Sequence, residues 1–429
     1  MAVQAVRQAV VAILGARFLG GLADPEWNGA VGGERPPRIR PHWVCAPSDT
    51  ARSNPESLAQ WLAERGIDAL PFEGVVDHTG QWVILDRRTG LVMGKRTLPM
   101  GFQPHGSAAV RNGAHRLLLR TRIIYRDHPL FATLDTETAK VDTLGYSDWL
   151  RPDPFGDTCY TGWVRGGRTS MVLRDSLRFD CGLAVQEAVF DPTGAWLVGW
   201  NPESRVGSTY SLAGGGRVLL QRRDREGNVM SHLETGLTGC VDAAVGDGAG
   251  GVAVQISDPR DRKHSSLGIA RFPEGFRTVP LPWPDVHWRL LAVSAEQVLC
   301  LADREFFLLS SQTGAVVNRW TVDGDRFGRT LNTLARGYFL GASRVLLELG
   351  TRADPAEDPY GAFKLYALYS CAGTPLVELV GWPGDRLRSP RPFSVSSPEV
   401  SLLTEDVLLF DVPGAGVALY DLQNRAVPR

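Results

Sequence analysis

From about residue 73 onward, apolar residues come in short runs broken by turn residues, and no helical period is visible. The stretch VFDPTGAWLVGW, residues 189–200, shows the unit. Asp191, Pro192 and Gly194 stand at positions i, i+1 and i+3 of a type I turn, so the flanking runs predict two antiparallel strands. VVDHTGQWVILD, residues 75–86, repeats the pattern. AAVRNGAHRLLLR, AAVGDGAGGVAVQI, LAVSAEQVLCLAD, YFLGASRVLLEL and VSLLTEDVLLFD fit it more loosely. A second kind of hairpin usually follows, as in VILDRRTGLVMGKRTL, VLLQRRDREGNVMSHL and FFLLSSQTGAVVNRWTV.

Two hairpins per unit give a four-stranded antiparallel sheet, and a unit of about 40–60 residues is the repeat of a β-propeller. A lone four-stranded sheet cannot bury both faces. Sheets stacked radially around an axis bury them and shield their edges. The predicted fold class is therefore all-β, a β-propeller over residues 73–429. Turn centres near residues 78, 112, 192, 248, 295, 342 and 405 predict seven blades. Eight is the alternative, because the interval from 112 to 192 is long and GWVRGGRTSMVLRDSLRF within it can supply a further hairpin. Closure of the ring calls for a distant partner to the last-blade strand near residues 417–422, either HWVCA (residues 42–46) or the strand near Val75. Trp82 and Trp196 each follow a Thr-Gly turn by two residues, so both are expected on equivalent strands, buried between blades.

FLLSSQTGAVVNRWTV and VILDRRTGLVMGKRTL resemble the Asp/Ser-x-x-Thr-Gly outer hairpins of quinoprotein-like and WD40-like propellers. DPTGAWLVGW and DGAGGVAVQI resemble their inner hairpins. The Trp-Asp dipeptide of WD40 blades and the regular docking Trp of quinoprotein dehydrogenases are missing. The resemblance therefore implies a fold far more than an activity.

Residues 1–72 have a different texture. Val3, Val6, Val10, Ile13 and Leu14 recur at helical spacing and predict an amphipathic helix. A secretory or anchoring segment is the other reading of AVVAILGA. After the connector GGERPPRIRP, a second helix is predicted in SNPESLAQWLAERGID. Asn54 caps it, Pro55 takes the first position, Gly66 ends it, and Leu58, Trp61, Leu62 and Arg65 mark one face. No other run approaches the roughly 20 apolar residues of a membrane span.

Composition narrows the function classes. The formal net charge is −1 and charged residues make up 22%, so nothing in the chain pulls it globally toward nucleic acid or anionic lipid. Only Lys95, Lys140, Lys263 and Lys364 among the 46 basic residues are lysine. The scattered arginines fit the codon bias of a GC-rich bacterial genome. Cys45, Cys159, Cys181, Cys240, Cys300 and Cys371 stand far apart and read as reduced, mostly buried residues of a cytosolic protein. The histidines show no HxH, HxxH or HExxH spacing, and neither a Gly-x-Ser-x-Gly nucleophile nor a phosphate loop is present. No catalytic residue, cofactor or metal ligand is assigned.

Three connectors stand out: LGYSDWLRPDPFGD, VPLPWPDVHWRLL and LVGWPGDRLRSPRPF. Each combines Trp, Pro and charge, and each falls after an outer hairpin, so in a propeller they share one face. Trp149, Arg151, Trp283, Trp288, Trp382 and Arg386 are therefore the candidate partner surface. The competing reading makes each Trp a plug in its own blade seam. The function expected is a non-catalytic interaction or scaffold propeller in the cytoplasm. Its layout resembles cytoplasmic bacterial propellers associated with MoxR-type AAA ATPases and von Willebrand A-domain proteins, which implies a partner of one of those kinds. The alternatives are an envelope-associated binding propeller and a propeller enzyme (hydrolase, lyase or quinone-type oxidoreductase) acting at the axial mouth. A convergent polar cluster at that mouth would favour the enzyme.

Overall fold

The computed structural model describes residues 36–45 and 55–423 apart from intervening stretches, of which the longest are 105–115, 122–128, 162–170, 202–215, 323–329, 353–361 and 381–398. The helix expected around residues 3–14 lies outside the described residues. Among the described residues, one helix, Pro55–Glu64, accompanies a chain otherwise built of strands.

The strands run as antiparallel meanders in chain order, spanning 74–97, 102–146, 150–180, 184–239, 240–279, 288–321, 330–379 and 399–421. The strand Val229–Gly246 serves two of them. Its first part pairs with Gly216–Arg223 and its second with Gly251–Ser257. The described strands thus group into eight meanders, numbered here in chain order. The third, 150–180, fills the long interval between the turn centres at 112 and 192.

Burial orders the strands within each meander. Every residue of the second strands Gly194–Trp200 and Gly251–Ser257 is buried. Fourth strands such as Val316–Thr321 are largely exposed. The first strands of meanders four to seven are neighbours of one another. First strands therefore line an axis and fourth strands form a rim.

Apolar side chains fill the seams between meanders. Trp196, Val198 and Val218 of the fourth pack with Val252, Val254 and Ile256 of the fifth. Comparable clusters join the first to the second, the third to the fourth, and each of the fifth to seventh to its successor. The eighth meets the first through Val83, Leu85, Val407 and Leu419. Such stacking makes the fold a β-propeller. Trp82 and Trp196, both 0% exposed, lie in corresponding seams, as their shared spacing from the turn predicts.

The N-terminal side fastens the last blades. Trp43–Cys45 pairs with Gly416–Asp421 and completes the eighth meander as its fourth strand, so HWVCA is the closing partner. Arg38–Ile39 adds in parallel to the outer strand Pro375–Leu379 of the seventh. The helix buries Leu58, Trp61 and Leu62 in the seam between eighth and first meanders. Gly66, at φ +67°, ends it in the left-handed region, and Ile67 N donates to Leu62 O at 2.9 Å. His42 stacks on Trp61 with ring centroids 4.3 Å apart. Arg65 lies over the same indole and pairs with Asp421 of the last strand. The described residues 38–45 and 55–70, N-terminal to the expected boundary at 72, thus supply strands to the sheets and a helix to the seam.

Candidate functional site

The structure places two of the candidate Trp anchors inside the ring. Trp283 is 9% exposed and Trp288 is 1% exposed, and both belong to the cluster between the fifth and sixth meanders. The Trp283 ring meets Phe307 at a centroid distance of 4.2 Å. These two residues are seam plugs and not surface anchors, because an indole sunk in the seam removes its large apolar area from water. Trp283→Ala is expected to lower stability by about 3–5 kcal/mol, read as a lower midpoint in urea. An unchanged midpoint would return Trp283 to the surface. Arg151 is exposed. Trp149, Trp382 and Arg386 lie outside the described residues.

Arg151 leads to the axis. It sits on the first strand of the third meander and pairs with Glu187, on the first strand of the fourth, at 2.8 Å. It also donates to Ala188 O at 3.4 Å. Burial pushes the Glu187 carboxyl up from its ordinary value, while the charges of Arg151 and Arg336 oppose that rise. Arg336 comes from the first strand of the seventh meander, Thr330–Leu340. Arg336 is exposed, and no hydrogen bond or ion pair holds its guanidinium among the described residues. Glu348 and Tyr366 continue the row as cross-strand neighbours. Burial, followed by the Glu348 charge, raises the Tyr366 phenol. The first strands of meanders four, five and six each carry a register slip, at Gln186, Asp242 and Leu291. Such bulges re-aim side chains, and Glu187 follows the first of them.

A second polar network is structural. Arg222 donates to both carboxylate oxygens of Asp191, at 2.7 and 2.8 Å, and lies over the Trp196 ring at 5.6 Å. Thr193 donates its amide and hydroxyl to the same carboxylate at 2.8 and 2.6 Å. Gly194, at φ +149°, leaves no room for a side chain, since a Cβ would stand 2.0 Å from Arg223 O. Asp-x-Thr-Gly-x-Trp recurs at residues 77–82, and Arg96 stands opposite Trp82 as Arg222 stands opposite Trp196. At Asp191 the motif locks the inner turn of the fourth meander onto its third strand.

The rim carries a further pattern. Outer hairpins turn through Gly90, Gly227 and Gly314, all at positive φ. Asp86 and Asp224 accept backbone amides within two of these turns, each at 2.7 Å. Two residues past each glycine stands an exposed apolar pair: Val92–Met93, Val229–Met230 and Val316–Val317. Neighbouring strand residues point to opposite faces, so both faces of these rim strands are open at that level.

Among the described residues, no cluster of His, Cys, Asp and Glu is placed to hold a metal ion, and no helix is long and apolar enough to cross a membrane. No protein-family model and no curated protein matches the chain. Solved structures do. One, described as two prolyl endopeptidases, is 11% identical with a TM-score of 0.41, covering 83% of this chain and 48% of that one. The β-propeller domain of the Trilobed protease from Pyrococcus furiosus is 8% identical with a TM-score of 0.39, covering 74% of this chain and 97% of that one. Hsv2 from Kluyveromyces lactis is 9% identical with a TM-score of 0.36, covering 70% of this chain and 87% of that one. The chain spans about half the length of the peptidases it matches. These likenesses concern fold alone.

Proposed function

We propose that the chain is a non-catalytic protein-binding scaffold of the bacterial cytoplasm, a single ring of eight blades whose outer rim receives the partner. The recurrence of the exposed pairs Val92–Met93, Val229–Met230 and Val316–Val317 carries this reading. Isolated apolar residues on a surface need no explanation, but pairs repeated at one level of several blades make a patterned surface. Rim strands also offer an unpaired edge, and the addition of Arg38–Ile39 to Pro375–Leu379 is an internal instance of a segment taking one. A MoxR-type AAA ATPase or a von Willebrand A-domain protein is the partner class proposed from the resemblance in layout.

The test compares the wild-type chain with the double variant Met93→Glu, Val317→Glu. Both side chains are exposed, at 68% and 54%, so the fold tolerates the change. Affinity for an AAA ATPase or von Willebrand A-domain partner co-purified from the native host is expected to fall at least about tenfold, or 1.4 kcal/mol. The melting temperature should stay nearly unchanged. Equal affinity would overturn the rim assignment. The alternative, an enzyme working at the axis, draws on the Arg151–Glu187 pair between the first strands of the third and fourth meanders. A turnover lost in Glu187→Gln and retained in the rim variant would favour it.

A further inference from the structure

We propose that the outer edges of the first, fourth and sixth meanders each take up an extended segment of the partner, with an acidic residue at the place where Arg38 stands on the seventh. This rests on the rim reading and names the chemistry of what the rim receives. Four outer strands share one local build. Each begins just after a turn glycine at positive φ: Gly90, Gly227, Gly314 and Gly373. The third residue after that glycine is always the extra residue of a bulge: Met93, Met230, Val317 and Leu376. A shared register puts the backbone groups that face away from the blade at the same places. On the seventh meander a segment already sits there. Glu378 N donates to Pro37 O at 2.9 Å, Val380 N donates to Ile39 O at 3.0 Å, and Arg38 Nε donates to Glu378 Oε2 at 2.8 Å. Ile39 is buried beside Leu379, and Leu376 is half-buried. Among the described residues no strand pairs with the corresponding edges of the other three, and Met93, Met230 and Val317 are exposed.

The fifth residue after the glycine selects the segment. It is Glu378 on the seventh meander, and Lys95, His232 and Arg319 on the others, all three exposed. In the register of the seventh this residue lies directly opposite Arg38. Opposite charges facing each other across two strands are favourable and like charges are not, so an acid belongs where the seventh takes arginine. A carboxylate accepts N–H bonds from lysine, arginine and histidine alike. The acids already present leave the pattern standing. Glu305 stands 3.9 Å from Arg319 with both side chains exposed, and Glu234, two places beyond His232, stands 4.0 Å from Arg217. Such exposed pairs are weak and exchange readily. Pro36 and Pro37 precede Arg38, and prolines at those places hold a segment extended before it docks.

The experiment is isothermal titration calorimetry of the full chain with three capped peptides. The first is Pro-Pro-Glu-Ile-Ser-Pro. The second carries Arg in place of Glu. The third is the first built with D-isoleucine, which keeps the charge but turns the side chain off the strand. The first peptide is expected to bind saturably, at least about tenfold tighter than either of the others. In the triple variant Lys95→Glu, His232→Glu, Arg319→Glu the preference should reverse toward the arginine peptide with the melting temperature nearly unchanged. Should the triple variant unfold, each single reversal should instead lower the number of peptides bound by one. No saturable binding of the first peptide, equal affinity for any two of the three peptides, or an unchanged preference and stoichiometry in the charge variants would overturn the proposal. Partner affinity lost in Met93→Glu, Val317→Glu without peptide binding would sink this inference and leave the rim reading standing. Peptide binding beside an intact partner affinity in that double variant would do the reverse.

Discussion

Trp196→Ala is expected to lower the unfolding free energy by about 3–5 kcal/mol. The indole is fully buried, fills the seam between fourth and fifth meanders, and donates Nε1–H to Gly250 O at 2.9 Å. Its removal leaves a cavity bounded by strands of two blades, and neither blade can collapse into it without breaking its own ladder. The carbonyl of Gly250 loses its donor as well. Urea unfolding followed by circular dichroism reads the loss as a lower midpoint at unchanged slope. A shift worth under 1 kcal/mol would mean that the seam repacks and that the repeat is not held by this residue.

Arg222→Ala should cost about as much, roughly 3–5 kcal/mol, because it strands the buried Asp191 carboxylate without its cation. Acidity gives this loss a signature. Burial alone would raise the Asp191 pKa, but the bonds from Arg222 and Thr193 outweigh it and hold the group below its ordinary value. In the wild type this stabilisation is present above the unfolded value near 3.8 and is lost as pH falls through the folded one. In Arg222→Ala the bonds and charge of Arg222 are gone while those of Thr193 remain, so burial is opposed less, the Asp191 pKa rises relative to the wild type, and protonation relieves the variant at a higher pH. The stability gap between the two proteins should therefore narrow on acidification below about pH 5. A gap that stays constant from pH 7 to pH 3 would mean that the pair contributes through packing alone.

What could be read in the sequence was whatever repeats locally. The Asp191 turn and the paired tryptophans follow from spacing, and the need to cover a sheet edge left HWVCA or the strand near Val75 as the closing partner, of which HWVCA takes the pairing. The third meander was nearly silent because its strands have only three or four residues, too few for alternation to show. The sequence offered Arg151 but not its partner Glu187, since the two belong to separate repeats and meet only where adjacent blades do. The connectors announced Trp283 and Trp288 but not their direction, which depends on the room between two blades. The rim pairs were present in the outer hairpins, yet their exposure follows from the position of the strand in its sheet and not from their residue types.

The fastening at the N-terminal side also bears on how the protein is made. Arg65 leaves the ribosome 356 residues before the Asp421 it binds. At about 5–20 residues per second, that is a wait of roughly 20–70 s. Throughout it Trp43, Leu58, Trp61 and Leu62 have been synthesised, while the strands Val407–Val412 and Gly416–Asp421 that cover them have not. These residues thus wait for shelter until the strands of the eighth meander have followed them. In the newborn polypeptide, Trp43, Leu58, Trp61 and Leu62 are apolar surface that a chaperone could shield.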